Sequence, residues 1–366
     1  MTDKKKKQRK KIWVAIASVL GTLVLLAGAY VIYVIASFER IADLQPIMVE
    51  GMPGEKEYPA TGKMYMILTS NIGFGAYSQE FSFFLDGGHD SRAYSKEAVE
   101  QNVTGSAQLV EVFAPDFILF QEVDRDSTRS YHTDELKLLQ SVLNGYQVSF
   151  AYNYLDSPFF LWPLNQPHGT INSGIATFSR FTMESATRRS LPITDGVRKY
   201  MDLDRCYTVS RIPVENGRTL CLYQVHLSAY AKDGRLPERQ LAVLFQDMQE
   251  EYAAGNYVIC GGDFNCDLQL TEEEKTTEAM AGPFPRSSIP EGFSLSVDLL
   301  PETKFATLQG SWRDTKEPYR QFFSETCLSD GFLVSDNVTV FDVSIVNGEF
   351  QYSDHNPVLM FFKLNP

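Results

Sequence analysis

Twenty-seven consecutive residues without a charged side chain, Ile12 to Phe38, constrain this chain more than any other feature. The run is rich in Val, Leu, Ile and Ala, and no polar face interrupts it. As a helix it would be about 40 Å long, enough to cross roughly 30 Å of hydrocarbon with some tilt. Trp13, Tyr30 and Tyr33 suit the membrane interface. Lys4 to Lys7, Arg9, Lys10 and Lys11 stand immediately before the run, so the positive-inside rule keeps residues 1–11 in the cytoplasm and exports the rest. A cleaved signal peptide is the competing reading, with Ala27-Gly28-Ala29 as its small-residue site. The apolar run continues well past those residues, which favours a retained signal-anchor helix over 12–38. Residues 39–62 read as a linker, punctuated by Pro46, Gly51, Pro53, Gly54, Pro59 and Gly62.

Charge divides the chain at the same place. The first twelve residues carry a net +6, which leaves −19 on residues 13–366 out of −13 for the whole. Such a domain repels polyanions unless it concentrates positive charge locally or brings a cation with it. Non-specific duplex binding is therefore disfavoured, while a small anionic site organised around a metal is compatible. The five cysteines are odd in number and lack zinc-site spacing, so they read as small buried residues. No motif indicates a protein partner.

From Lys63 onward strands and helices alternate in one catalytic-size domain, 63–366. Strands are expected at 64–72, 116–123, 147–154 and 173–181, with helices over 95–113 and 134–143. RCYTVSRIPVENGRTLCLYQVHLSAY holds two strand runs around Asn216-Gly217, the favoured turn of a tight hairpin. A helix over 236–255 stops at a glycine, and YVICGGDFN follows as a strand. SDGFLVS, TVFDVSIVN and NPVLMFFKL are further strands. Hairpins mixed with helices predict a four-layer α/β sandwich, two packed mixed β-sheets with helices outside. The long aromatic loop 153–172 contains Phe159, Phe160, Leu161 and Trp162. These either pack on their own domain, cover an apolar substrate or enter a membrane.

Polar residues recur at the ends of the apolar strands: Asn71, Gln121-Glu122, His226, Asp263 with Asn265, Asp330, and Asp354-His355. Each alone is an ordinary turn or solvated residue. Together they are chemically coherent. Carboxylate and amide oxygens suit a hard cation such as Mg²⁺ or Mn²⁺, and two histidines supply proton transfer near neutral pH. In GGDFN the glycines are expected to let backbone approach a site that Asp263 and Asn265 face together.

The pieces TSN, FQE, SGIATFSR, VHLSAY, GGDFN, SDGFLVS and SDHNPV occur in an order that resembles the endonuclease/exonuclease/phosphatase superfamily, with the deoxyribonuclease-I-like fold. The resemblance covers about residues 64–364. It implies Glu122 as the principal Mg²⁺ ligand with Asn71 beside it and Asp354 supporting the metal side. His355 would be the catalytic histidine, oriented by Asp330. Asp263 would align or deprotonate the attacking water, or protonate the leaving oxygen. Asn265 and His226 would donate hydrogen bonds to the scissile phosphate. Ser173, Arg180, Tyr152 and Asn153 either touch the substrate or belong to the core. One departure stands out, because abasic-site endonucleases carry an acid two places after the first Asn and this chain has Gly73.

The implied activity is Mg²⁺-dependent hydrolysis of a phosphodiester or phosphomonoester by in-line attack of water, on the extracytoplasmic side of a cell membrane. The substrate would be a lipid headgroup, a nucleotide or a nucleic acid. An extracellular nuclease of the same fold is the near alternative, and a non-catalytic membrane-anchored binding protein the distant one.

Overall fold

Period-two alternation builds the layers. In the strand Met64–Asn71, Ile67 faces the interior between two sheets, while Leu68 faces the helix layer outside. The strand Phe117–Asp124 repeats the division, with Phe117 and Leu119 inward and Ile118 and Phe120 outward. Val99, Val103 and Val110 of helix Lys96–Glu111 cover that outer face, joined by Leu136 and Leu139 of helix Glu135–Val142. Ser95 and Asp134 cap these two helices by accepting backbone N–H groups of Ala98 and Lys137. Helix Arg235–Ala253 packs Leu241, Leu244 and Met248 on the other sheet, and its Asp247 accepts the Tyr207 hydroxyl at 2.6 Å.

The computed structural model describes residues 3–54, 58–200, 202–229, 235–274 and 279–366. Tyr230 of VHLSAY, the first two residues of the basic tail and linker residues 55–57 lie outside them. Among the described residues, two seven-stranded sheets pack face to face. One runs Gln45–Ile47, Ser185–Ser190, Cys206–Pro213, Thr219–His226, Tyr257–Asp263, Asp330–Ser335, Phe293–Leu295; the other runs Val338–Ile345, Val358–Leu364, Met64–Asn71, Phe117–Asp124, Ser173–Ser179, Gln147–Tyr154, Val49–Glu50. Both are mixed, with parallel pairs at Tyr257–Asp263 on Thr219–His226 and at Met64–Asn71 on Phe117–Asp124. This is the expected four-layer sandwich.

Three local differences from the sequence reading have physical reasons. The N-terminal helix spans Asp3–Ala36, beginning inside the basic tail because Lys, Arg and Gln are good helix formers. Its 0% buried apolar segment is long enough to cross a membrane. Within 39–62, Gln45–Ile47 pairs with one sheet edge and Val49–Glu50 with the other, too short to leave an alternating pattern. Ser185–Ser190 is a strand despite Arg188-Arg189, since Arg188 is buried and donates to the Tyr152 carbonyl and to Asp204. The five cysteines are free and buried.

The 153–172 loop packs against the end of the N-terminal helix. Tyr30 Oη donates to the Phe159 carbonyl at 3.0 Å, and Tyr33 Oη accepts the Phe159 N–H at 3.0 Å.

Candidate active site

Register alone sets three side chains in a row. Asp263 pairs with His226 on the parallel side and with Asp330 on the antiparallel side, so the three stand level at one end of the sheet. The strand stops at Asp263, and Asn265 turns back in the left-handed region with φ 51°. Asn265 therefore does not emerge beside Asp263 as the next same-face strand residue. Its N–H donates to Asp263 Oδ1 at 2.8 Å, and its Nδ2 donates to the Leu227 carbonyl at 2.8 Å.

The glycines before it serve packing rather than an approach of backbone to substrate. A Cβ on Gly261 would lie 2.5 Å from Phe332 and 2.9 Å from Leu119 of the facing sheet. Gly262 has φ 143°, and a Cβ there would meet the Val225 carbonyl oxygen at 2.0 Å.

From the facing sheet come Asn71 and Glu122. Pairing of Phe117–Asp124 with Ser173–Ser179 shifts register between Phe120 and Val123, a bulge containing Gln121 and Glu122. Glu122 has φ 54°, a conformation costing an L-residue about 1–2 kcal/mol, and the bulge leaves it half-exposed between buried neighbours. Gln121 is buried and structural, donating to the Leu119 carbonyl at 3.1 Å. Asn71 Nδ2 donates to Asp263 Oδ2 at 3.1 Å and to Glu122 Oε1 at 3.3 Å, bridging the two sheets.

Asp354 and His355 precede the strand Val358–Leu364. Ser353 Oγ, donating to the Asn71 carbonyl at 2.8 Å, ties their turn to the site. His355 Nδ1 lies 2.7 Å from Asp330 Oδ2. That oxygen also accepts Ser311 Oγ at 2.7 Å and Ser329 Oγ at 3.2 Å. The other ring nitrogen, Nε2, faces Asp263 Oδ2 at 3.8 Å and Asp354 Oδ2 at 4.0 Å. His226 Nε2 lies 3.7 Å from Asp263 Oδ2 and 3.9 Å from Glu122 Oε1. These gaps exceed a hydrogen bond. All eight expected residues thus lie on the same cluster of strand ends from both sheets.

Burial drives the electrostatics. Burial pushes Asp263 up, and the neighbouring Asp330 carboxylate adds to the push; opposed by His355, Asn265 N–H and Asn71, the carboxyl stands at about 7. Burial alone would push His355 down, but Asp330, then Asp354 and Asp263, raise it to about 10 and hold it as imidazolium. Burial raises Asp354 as well, countered by His355 and reinforced by Glu122. His226 goes the other way, lowered well below 6.5 by burial and then by Arg205, and is neutral.

Buried acids raised in this way are the condition a cation relieves, and the donors are oxygens without a thiolate. On the Glu122 side Asp354 is an acid raised in this way, and Glu122, Asn71 and Asp354 fit a hard cation by their oxygen donors. Asn71 turns Nδ2 to the carboxylates, while its Oδ1 accepts the Gly73 N–H at 3.0 Å. A carboxamide flip would offer the oxygen instead. The tightest cation-sized group of acids and histidine is a different one, Asp263, Asp330 and His355. Asp330 and His355 are already spent on each other by their 2.7 Å hydrogen bond, which leaves the Glu122 side as the one that could hold a cation. The corner where related nucleases carry an acid is closed here. A Cβ on Gly73 would lie 2.5 Å from the Tyr77 ring and 3.0 Å from Asp354 Oδ1.

Ser173 and Arg180 belong to the scaffold. Ser173 is buried beside Arg129, and Arg180 stacks on Tyr146, to whose hydroxyl it donates. Asn153 is buried with neither amide atom paired. Ser311 and Trp312 were missed in the sequence; the indole stacks on His355 at 6.2 Å between ring centres. Ser311 directly precedes the two-residue strand Trp312–Arg313, which is too short for Gly-Ser-Trp to carry a periodic signal.

The family model described as the endonuclease/exonuclease/phosphatase family matches residues 68–355. Comparison with curated proteins finds no match. Solved structures share the fold. An endonuclease/exonuclease/phosphatase from Beutenbergia cavernae superposes with a TM-score of 0.58 at 16% identity, over 83% of this chain and 72% of that one. The human Nocturnin catalytic domain with bound sulfate gives 0.53 at 20% identity, over 87% and 98%. TDP2 from Caenorhabditis elegans gives 0.50 at 18% identity, over 83% and 75%. Members of the matched family are metal-dependent phosphoesterases and nucleases. With the motif order, the fold and the converging strand ends in agreement, the chain belongs to the endonuclease/exonuclease/phosphatase family.

Proposed function

We propose that this chain is a membrane-anchored phosphoesterase whose domain, residues 63–366, faces the extracytoplasmic side and hydrolyses a phosphodiester by in-line attack of water. The observation that carries the reading is the convergence on Asp263: Asn71 at 3.1 Å, His226 at 3.7 Å and His355 at 3.8 Å, contributed by both sheets and the final turn. A scaffold has no use for so many buried, imperfectly compensated acids at strand ends.

Glu122, Asn71 and Asp354 would hold Mg²⁺, with Mn²⁺ suited to the same donors, and the bound cation would offset charge growing on the phosphoryl oxygens. Asp263, fixed by Asn71 and by Asn265 N–H, orients the water and takes its proton. His355, kept cationic by Asp330, donates from Nε2 toward the phosphoryl and leaving oxygens. His226 is neutral and donates from Nε2 to the same group. Asn265 positions Asp263 through its backbone, while its amide is committed to Leu227 in this state.

The test uses the full chain in detergent with and without Mg²⁺ on a chromogenic phosphodiester, sphingomyelin vesicles and plasmid DNA. Metal-dependent turnover abolished by His355→Ala and by Asp263→Asn is expected. Turnover that survives both substitutions would remove this site from the chemistry.

A further inference from the structure

A cavity of about 680 Å³ opens beside the site, within the roughly 300–1,000 Å³ usual for ligand pockets. Its walls are apolar: Val34 and Ile35 of the N-terminal helix, Phe84 and Leu85, Phe160 and Trp162. Glu122 and His226 line the same cavity, so it runs into the proposed catalytic centre. Around it Leu85 is 66% exposed, Trp162 64% and Val197 81%, an apolar surface where the domain meets the helix that is apolar enough to cross a membrane.

Among the polar side chains that line this cavity are three, each more than nine-tenths buried, whose hydrogen bonding is incomplete: Arg205, Tyr154 and His226. Each has an atom without a hydrogen-bond partner, Arg205 Nε, Tyr154 Oη and His226 Nδ1. Native structures rarely leave such atoms unsatisfied. Arg205 Nη1 donates to the His226 carbonyl at 3.2 Å, which fixes the guanidinium beside that residue. A guanidinium with a spare N–H suits a phosphate oxygen.

We propose that the substrate is a membrane lipid phosphoester. Its hydrocarbon chain occupies the cavity, and the last two turns of the N-terminal helix form one wall. Its phosphate group meets Arg205 and Tyr154 on the way to Asp263. The helix then does more than tether the domain, because it completes the substrate site. This rests on the phosphoesterase reading for the fate of the phosphate, but not for the seating of the chain.

The full chain in phosphatidylcholine–phosphatidylglycerol vesicles is assayed on 4-nitrophenyl methyl, butyl, octyl and dodecyl phosphates below their aggregation limits. Water forms the new P–O bond, 4-nitrophenolate leaves, and the alkyl phosphate remains. We expect kcat/KM to rise at least 100-fold from methyl to dodecyl. Partition into the bilayer also raises it, so the deciding quantity is the dodecyl-to-methyl ratio in Val34→Trp and Val197→Trp, which narrow the cavity from its helix side and its rim. That ratio is insensitive to the folded fraction and to partition, and it should fall at least tenfold in Val34→Trp. An unchanged ratio in both variants overturns the proposal, as does inhibition of methyl ester turnover by a single-stranded oligonucleotide without any chain-length gain.

A readout independent of turnover is photocrosslinking by a phosphatidylcholine with a diazirine-bearing acyl chain, mapped by mass spectrometry. Adducts on Phe84 and Leu203, which line the cavity and belong to the domain rather than the helix, support the chain site. Adducts confined to residues 12–29 overturn it. Adducts on Phe84 with no hydrolysis of any ester would keep the chain site and discard the phosphoesterase reading. Hydrolysis with no chain preference and no cavity adducts would do the reverse.

Discussion

Two clusters of charge meet on one strand, through Glu122 and Asp124, and behave oppositely. In the first, Arg129 grips Asp124 with two hydrogen bonds of 2.9 Å, Ser130 Oγ donates to the same carboxylate at 3.0 Å, and the guanidinium lies 3.8 Å over the Phe74 ring. Glu135, raised well above 4.5 by burial and then by Asp124, accepts the Asp124 N–H at 2.8 Å. In the second, Asp263, Asp330 and Asp354 face the His355 imidazolium while Glu122 lies 3.9 Å from the neutral His226, and among the described residues no lysine or arginine forms an ion pair with any of the four acids. The first cluster is compensated from within and braces the bulge that turns Glu122 outward. The second is left with excess negative charge. Compensation, rather than burial, separates the scaffold cluster from the proposed catalytic one.

The largest expected effect breaks the second cluster. Asp263→Asn keeps the size and the hydrogen bond to Asn71 but cannot take a proton, and it should lower kcat by at least about 10³-fold. Because it removes one of several crowded buried acids, thermal stability should hold or rise by about 1 kcal/mol. A large loss of stability together with modest loss of activity would place Asp263 in the scaffold instead. Arg129→Ala is the converse. It strands Asp124 beside Glu135 and should cost about 3–5 kcal/mol in urea unfolding. Loss of activity without loss of stability would reverse the assignment of the two clusters.

Residue type at the strand ends was legible because strand runs end where alternation ends, and a chemically coherent set in family order stands out from turn residues. Its orientation was not. Glu122 faces the cleft through a bulge with φ 54°, which no periodicity announces. The Gly-Gly of GGDFN was read as a substrate-side feature, whereas its glycines admit Phe332, Leu119 and the Val225 carbonyl. Ser311 and Trp312 come from the start of a two-residue strand too short to alternate, where position is decided by tertiary contact. The absent acid at Gly73 was visible as a departure, but its cause, the buried Tyr77 ring filling the corner, was not.

The first cluster reaches a third group, His168, whose ring packs on Phe74 and Phe84. Burial, then the Arg129 charge, lowers it to about 4. A histidine lowered on folding binds its proton more readily when unfolded. Its contribution to stability is therefore present above about 6.5 and lost as pH falls toward 4, by up to about 3 kcal/mol. In His168→Gln, unfolding curves at pH 7 and pH 4.5 should differ less than in the wild type by about 2–3 kcal/mol. Parallel pH profiles would show that Arg129 and burial do not hold the ring neutral.

The smallest expected effect is the sharpest on the comparison itself. If excess negative charge is what the second cluster reserves for a cation, then Mg²⁺ at ten times its dissociation constant should stabilise the protein by about 1.4 kcal/mol. That corresponds to a rise in melting temperature of about 2–4 °C. Glu122→Gln should abolish the shift while leaving the metal-free melting temperature equal or higher, because one crowded acid is gone. Arg129→Lys should melt earlier yet keep the shift, since the internally paired cluster has no charge left for a metal. A shift lost in Arg129→Lys and kept in Glu122→Gln would move the cation to the Asp124–Glu135 side, and compensation would no longer distinguish the two clusters.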